Sequence, residues 1–223
     1  MKSILKTIAI SAFCLMAILL ITGMGLTSCG GDQHQYITIE TEYGNMKAVL
    51  YNETPQHRDN FVKLVKENFY DDLLFHRVIQ GFMIQGGDPG SRNATPDAQL
   101  GIGGPGYQVP AEIGKVHVKG ALAAARNNNP QKASSGSQFY IVQGQPVTDA
   151  MLDSFAAQKG IVYTEEQRNL YKERGGTPQL DNEYTVFGEV IEGLDVIDKI
   201  AAVQKGPADR PVQDVKMKIK MAD

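Results

Sequence analysis

Arg77, Phe82, Met83 and Gln85 lie within FHRVIQGFMIQGGDP, residues 75 to 89, and combine a permanent cation, two large apolar side chains and an amide. Alternation along two short strands, broken near Gln80-Gly81, turns Arg77 and the apolar pair toward one groove. Ordinary core packing would account for Phe82 and Met83 alone. An arginine among them is harder to explain that way, because a guanidinium rarely enters apolar surroundings without something to bind. The chemistry open to this mixture is hydrogen bonding, positioning and desolvation.

Other reactive patterns lack their context. Ser134, Ser135 and Ser137 occupy a glycine-containing stretch without the GxSxG elbow of a nucleophilic serine. Gly101 to Gly106 spells GxGxxG, but it contains Pro105, follows a polar loop and leads into no helix, which a dinucleotide fold requires. The four histidines, His34, His57, His76 and His117, show no metal-ligand spacing. Neither a metal nor a cofactor is expected.

The elements that must position these side chains occupy one domain. The chain has 223 residues, 42% of them hydrophobic and 21% charged, the composition of an ordinary globular body. Its first segment differs: Lys2 and Lys6 precede an apolar run from Ile8 to Ile21, then small residues lead to Cys29. This is the layout of an export signal. Leu26, Thr27, Ser28 and Cys29 resemble the lipobox of bacterial lipoproteins, in which the cysteine takes the lipid. The expected organisation is a signal peptide at 1 to 28, a lipidated tether at 29 to 35 and a folded domain at 36 to 223. An uncleaved anchor is the alternative, since the run is long enough to span a bilayer if it continues to Leu26.

Either way the domain works in the cell envelope, held at a bacterial membrane. With Cys14 removed and Cys29 lipidated, no thiol remains for disulfides or thiol catalysis. Removal of residues 1 to 28 takes away two positive charges and moves the net charge from −3 to −5. Nucleic acid is therefore not an expected partner.

Ile37 and Ile39 alternate before a Gly44-Asn45 turn, and Met46, Ala48 and Leu50 alternate after it, which predicts a β-hairpin. Thr54 as N-cap and Pro55 at the first helical position predict a helix to about Glu67. Residues 86 to 110 form a long Gly- and Pro-rich loop. Strands follow at 118 to 125, 137 to 143 and 184 to 191, with a short helix after Gly193. Val215, Met217, Ile219 and Met221 alternate with Lys216, Lys218 and Lys220, a strand with a solvated cationic edge. Between 145 and 178 helical signals take over: Met151, Leu152, Phe155 and Ala156 form an amphipathic turn, and Thr164 to Gln167 is a capping box. Many short strands with few helices favour a small closed barrel with helical lids and a helical insertion.

FHRVIQGFMIQGGDP, SSGSQFYIV at 134 to 142 and YTVFGEVIEGLDVID at 184 to 198 resemble the cyclophilins, in family order over residues 36 to 221. The resemblance implies a mainly β fold, a closed eight-stranded antiparallel β-barrel capped by two α-helices. It implies a peptidyl-prolyl cis-trans isomerase in which Arg77 is the catalytic donor and Gln85 holds the substrate carbonyl side. Phe82, Met83, Tyr140 and Leu180 would form the proline pocket, with Ala125, Arg126, Gln138 and Tyr184 lining the groove. Tyr140 stands where many members have Phe, Arg126 where eukaryotic members have Asn, and Tyr184 where they have His. Gln179 replaces the Trp that contacts cyclosporin, so weak cyclosporin binding is expected. The implied partners are proline-containing peptides and unfolded exported proteins, met by a monomer. The competing reading is a non-catalytic peptide-binding or chaperone module that grips partners with its helical insertion.

Overall fold

The computed structural model describes residues 34 to 222. The signal segment, Cys29 and most of the tether lie outside them. Folding begins at the expected hairpin, where β1 (Gln35–Thr41) pairs with β2 (Gly44–Leu50) and sets Ile37 opposite Ala48 and Ile39 opposite Met46. The turn is Glu42-Tyr43 rather than Gly44-Asn45. Gly44, at φ +126°, already pairs with Thr41. The Thr41 hydroxyl closes the turn by accepting from the Tyr43 N–H at 3.1 Å and donating to the Gly44 carbonyl at 2.8 Å.

Helix α1 (Pro55–Lys66) buries His57, Phe61, Leu64 and Val65. Thr54 sits at the N-cap position but its hydroxyl makes no capping bond. The exposed amides are met instead by Glu112, which accepts from Gln56 N–H at 3.1 Å, His57 N–H at 3.0 Å and His57 Nδ1 at 2.6 Å. A carboxylate there satisfies orphan donors and the positive end of the helix dipole together.

The remaining strands are β3 (Leu73–Leu74), β4 (Arg77–Ile79), β5 (Met83–Gly86), β6 (Gln108–Val109), β7 (Ala121–Ala124), β8 (Ser134–Ser135), β9 (Phe139–Val142), β10 (Val186–Glu192) and β11 (Lys216–Ala222). Of the eleven strands among the described residues, nine form one antiparallel sheet in the order β3-β11-β1-β2-β10-β7-β9-β5-β4, while β6 and β8 pair separately. The expected closed eight-stranded barrel is therefore corrected to a curled sheet with an open seam. Its two ends, β3 and β4, are joined by Phe75 and His76 but share no ladder: β3 pairs with β11 and β4 with β5. Strand β11 is also not an edge, since β1 flanks it along most of its length and β3 near its start. Its lysines do face solvent, and Lys218 and Lys220 pair with Asp71 and Glu40.

Among the described residues four α-helices accompany the sheet, the two expected caps and two in the expected insertion. Besides α1 and α4 (Leu194–Ala201), the insertion holds α2 (Asp149–Lys159) and α3 (Glu165–Arg174). The Thr164–Gln167 capping box forms as expected. The stripe expected in α2 is narrower, with Leu152 buried and Met151 39% exposed. Among the described residues no helix is long and apolar enough to cross a membrane.

The concave side of the sheet encloses the main core, where Phe61, Tyr70, Phe139 and Phe187 meet at ring separations of 4.9 to 5.7 Å. A smaller apolar cluster of Met83, Ala121, Ala123, Tyr140, Val142 and Val186 covers the other face of the same strands. Strand β9 is consequently apolar at every position, with Phe139 and Ile141 on one side and Tyr140 and Val142 on the other.

Burial pushes the imidazoles of His57 and His76 below their ordinary 6.5, and the nearby Glu112 and Asp88 carboxylates oppose this only in part. The folded state keeps these rings neutral, so below pH 6.5 the unfolded chain binds more protons and stability falls with pH. A urea midpoint lower at pH 5.5 than at pH 7.5, with a smaller difference in His76→Leu, is the expected outcome.

Candidate active site

Antiparallel pairing sets Arg77 on β4 opposite Gln85 on β5, Gln85 opposite Tyr140 on β9, and Tyr140 opposite Ala123 on β7. Side chains at opposed positions share a face, so the guanidinium, the amide and the phenol form a row across the outer side of the sheet. Phe82 leads into β5 from the turn and Met83 begins it. Together with Ala125, Arg126, Leu180 and Tyr184, these residues line a cleft of about 160 Å³. The chain thus brings nine of the ten groove residues expected from the sequence to one surface. Gln138, the tenth, is buried just beneath.

A polar thread runs along the cleft floor. Arg77 Nη1 lies 3.5 Å from Gln85 Oε1, Gln85 Nε2 donates to Gln138 Oε1 at 3.1 Å, and Gln138 Nε2 donates to the Gly103 carbonyl at 2.7 Å. The buried end of the thread is short and firm, whereas the arginine end is loose. The other ion contact of Arg77, to Asp209, spans 3.7 Å between side chains that are each about two-fifths exposed. Such a pair contributes little in water, which leaves the guanidinium at the cleft mouth weakly held. A second and larger cavity of about 1120 Å³ opens beyond Arg77 and Gln85, between residues 94 to 101 and 206 to 214.

The opposite wall is fixed by the chain itself. Arg126 Nε donates to the Glu183 carbonyl at 2.9 Å, its Nη2 meets Glu183 Oε2 at 3.0 Å, and its guanidinium lies 4.7 Å over the Tyr184 ring. Arg126 thus lines the groove with its donors on Glu183 and Asn127 and its plane against Tyr184. Tyr184 in turn meets Tyr140 edge-on at 5.8 Å. Leu180 ends the 3-10 turn Pro178–Leu180, and the exposed Gln179 beside it accepts from Lys159 Nζ at 2.5 Å through its carbonyl.

Residues 36 to 221 match the family model described as cyclophilin type peptidyl-prolyl cis-trans isomerase/CLD. This chain is a cyclophilin. A Staphylococcus aureus protein named "Putative peptidyl-prolyl cis-trans isomerase" is 38% identical over 180 residues, covering 80% of this chain and 87% of that protein. A Staphylococcus saprophyticus protein of the same name is 37% identical over 190 residues, covering 85% and 91%. The crystal structure of a Cryptosporidium parvum cyclophilin type peptidyl-prolyl cis-trans isomerase superposes with a TM-score of 0.65 at 25% identity, covering 86% of this chain and 99% of that one. A second structure of the Cryptosporidium protein, in the presence of the dipeptide Ala-Pro, gives a TM-score of 0.63 at 25% identity over 85% and 99% of the two chains. The activity of this cyclophilin is accordingly peptidyl-prolyl cis-trans isomerisation, on a mainly β fold with a curled antiparallel sheet.

Sequence reasoning missed the polar layer behind the cleft of this cyclophilin. The Tyr140 hydroxyl lies 3.1 Å from His117 Nε2, and His117 Nδ1 lies 2.8 Å from Asp181 Oδ1. Burial holds the Tyr140 phenol well above its ordinary range, so it stays protonated beside the ring. His117 had drawn attention only as a histidine without metal-ligand spacing. Its separation from Asp181 in the chain offers no local signal that could have paired them. Among the described residues no group of three or more His, Cys, Asp and Glu side chains is placed to hold a metal ion.

Gln138→Ala would strand both the Gln85 amide and the Gly103 carbonyl. Loss of about 0.5 to 1.5 kcal/mol in urea-unfolding free energy, the net range for a hydrogen bond whose partners water can reach, should accompany a reduced isomerisation rate.

Proposed function

We propose that Arg77 is the catalytic donor of this isomerase and that Phe82, Met83, Tyr140 and Leu180 form the recess for the substrate proline. The observation that carries the reading is the loosely held guanidinium at the mouth of an apolar cleft, opposite an amide that is itself anchored from below. Rotation about a peptide bond meets a barrier of about 18 to 20 kcal/mol because the nitrogen lone pair is delocalised into the carbonyl. As the Xaa-Pro bond twists, the lone pair returns to nitrogen. An N–H of Arg77 aimed at that nitrogen binds the twisted state more strongly than the planar one, which is the requirement for catalysis.

Gln85 spends one amide hydrogen on Gln138 and keeps the second for the substrate carbonyl side. A 10⁶-fold acceleration, near the low end for enzymes, needs about 8 kcal/mol of preferential stabilisation. A charged hydrogen bond supplies about 1.5 to 3 kcal/mol of that. The rest comes from the recess, which holds the ring away from water while the bond twists, so that the polar groups act in a low dielectric. Gln138, Ala125 and Tyr184 complete the surface on which the flanking peptide lies.

In the cell the domain would act as a monomer on proline-containing segments of unfolded exported proteins, tethered to the membrane by a lipid on Cys29. The sequence from Leu26 to Cys29 supports this placement.

With the soluble domain from residue 30 onward and a short Xaa-Pro peptide, Arg77→Ala should lower turnover by about tenfold or more while circular dichroism is unchanged. A folded but inactive native domain would instead make the cleft a recognition site. Expressed in a bacterial host, the full chain should take up a labelled fatty acid and Cys29→Ser should not; a native chain that stays at the membrane without label would favour the uncleaved anchor.

A further inference from the structure

Asp181 follows Leu180 directly in the wall of the cleft and is 2% exposed. A carboxylate taken out of water at that depth must be met by donors or it destabilises the fold, and four groups meet it. Oδ1 accepts from the His117 backbone N–H at 2.9 Å and from His117 Nδ1 at 2.8 Å. Oδ2 accepts from the Tyr163 hydroxyl at 2.9 Å and the Tyr171 hydroxyl at 2.7 Å. Tyr171 belongs to α3 and Tyr163 stands just before the capping box of that helix, so half of these donors come from the insertion.

The donors of Asp181 lead back to both sides of the proline recess. With Nδ1 held against the carboxylate, His117 turns its other nitrogen, Nε2, to the Tyr140 hydroxyl at 3.1 Å. The His117 and Tyr140 rings are stacked at 6.1 Å and 12°. On the other side, Lys159 of α2 donates to the Gln179 and Asp181 carbonyls, gripping the backbone before and after Leu180. The insertion is itself closed at its base, where Gly176 and Gln145 exchange backbone hydrogen bonds of 2.9 and 3.2 Å and Thr177 N–H reaches the His117 carbonyl at 2.8 Å. One carboxylate therefore connects a closed helical unit to Tyr140 in one wall and Leu180 in the facing wall.

We propose that Asp181 is a positioning residue of the isomerase, which sets the separation of Tyr140 and Leu180 through His117, and that the helical insertion is the frame against which it does so. The proposal rests on the reading of the recess as the proline site. It assigns the insertion a part in substrate binding by this domain, rather than the partner grip considered from sequence. It also explains why a hydroxyl is carried into an apolar recess: the phenol of Tyr140 is the link that lets a group behind the wall hold the ring in place.

Steady-state kinetics on a short Xaa-Pro peptide test this. Asp181→Asn should raise KM by about tenfold with kcat within about threefold, the pattern of lost binding common to ground and transition states. Tyr163→Phe and Tyr171→Phe, which remove single donors remote from the cleft, should raise KM in the same direction by less. Asp181→Asn and Tyr140→Phe combined should raise KM by less than the product of their separate effects, because both break one chain of contacts. A hub that is structural alone would lower the unfolding midpoint and leave KM of the folded variants unchanged, and that result, or multiplicative effects in the double variant, overturns the proposal. If Asp181→Asn does not fold, the two tyrosine variants decide by the same criterion. Leu180→Ala separates the two readings: unchanged KM there sinks the proline recess itself, whereas a raised KM beside unaltered Asp181 and tyrosine variants sinks only the positioning role.

Discussion

The register of β5 between β4 and β9 is the constraint from which the site follows. Side chains of a strand alternate between faces, so pairing Arg77 with Gln85 and Gln85 with Tyr140 puts all three on the outer side of the sheet. The same register puts Val78 opposite Ile84 and Ile84 opposite Ile141, each of them fully buried, on the inner side. A slip of one residue between β4 and β5 would drive the guanidinium into the aromatic core and turn Val78 out to water. The geometry of the proposed site is thus held by the hydrophobic effect acting on the other face of the strands that bear it.

A sheet that is buried on its inner face and apolar on part of its outer face has no spare surface for polar groups, and the cleft depends on that scarcity. Ala125 is small enough to leave a depression between the larger side chains around it. Polar atoms enter the depression along two routes, and each is anchored behind it. The floor thread ends on the Gly103 carbonyl, and the Tyr140 hydroxyl ends on the His117–Asp181 pair. Arg77 is the contrast, with long contacts and a half-exposed head. Firm supports around one loosely held cation suit a reaction in which the donor must follow a nitrogen as the bond twists.

The insertion between β9 and β10 packs as a unit of its own behind the groove. Its helices bury few residues of their own; their inner side chains, Leu152, Tyr163 and Tyr171, join Val118 and Val147 in a small cluster behind the groove wall. Tyrosine suits this place because each ring contributes apolar area and each hydroxyl reaches a buried carboxylate. A buried polar network of this kind is worth having only when its members are satisfied together, and the four donors on Asp181 meet that condition.

Local sequence rules determined the parts of this protein that local physics decides. The period-two alternation of β1, β2 and β11, the Pro55 helix start and the Thr164 capping box follow from contacts a few residues apart, and the structure contains them. The groove residues around Arg77 were legible through the resemblance carried by three motifs, and the tertiary structure gathers them around one cleft. Other features needed the whole chain. Whether the sheet closes depends on whether β3 and β4, already joined by two residues, pair with each other or only with β11 and β5, which neither strand encodes alone. The α1 amides chose Glu112 over the adjacent Thr54, the guanidinium of Arg126 chose Glu183, and His117 chose Asp181 and Tyr140. Each choice is a competition among polar groups that meet only after burial has stripped their water, so residue types and spacing could not disclose it.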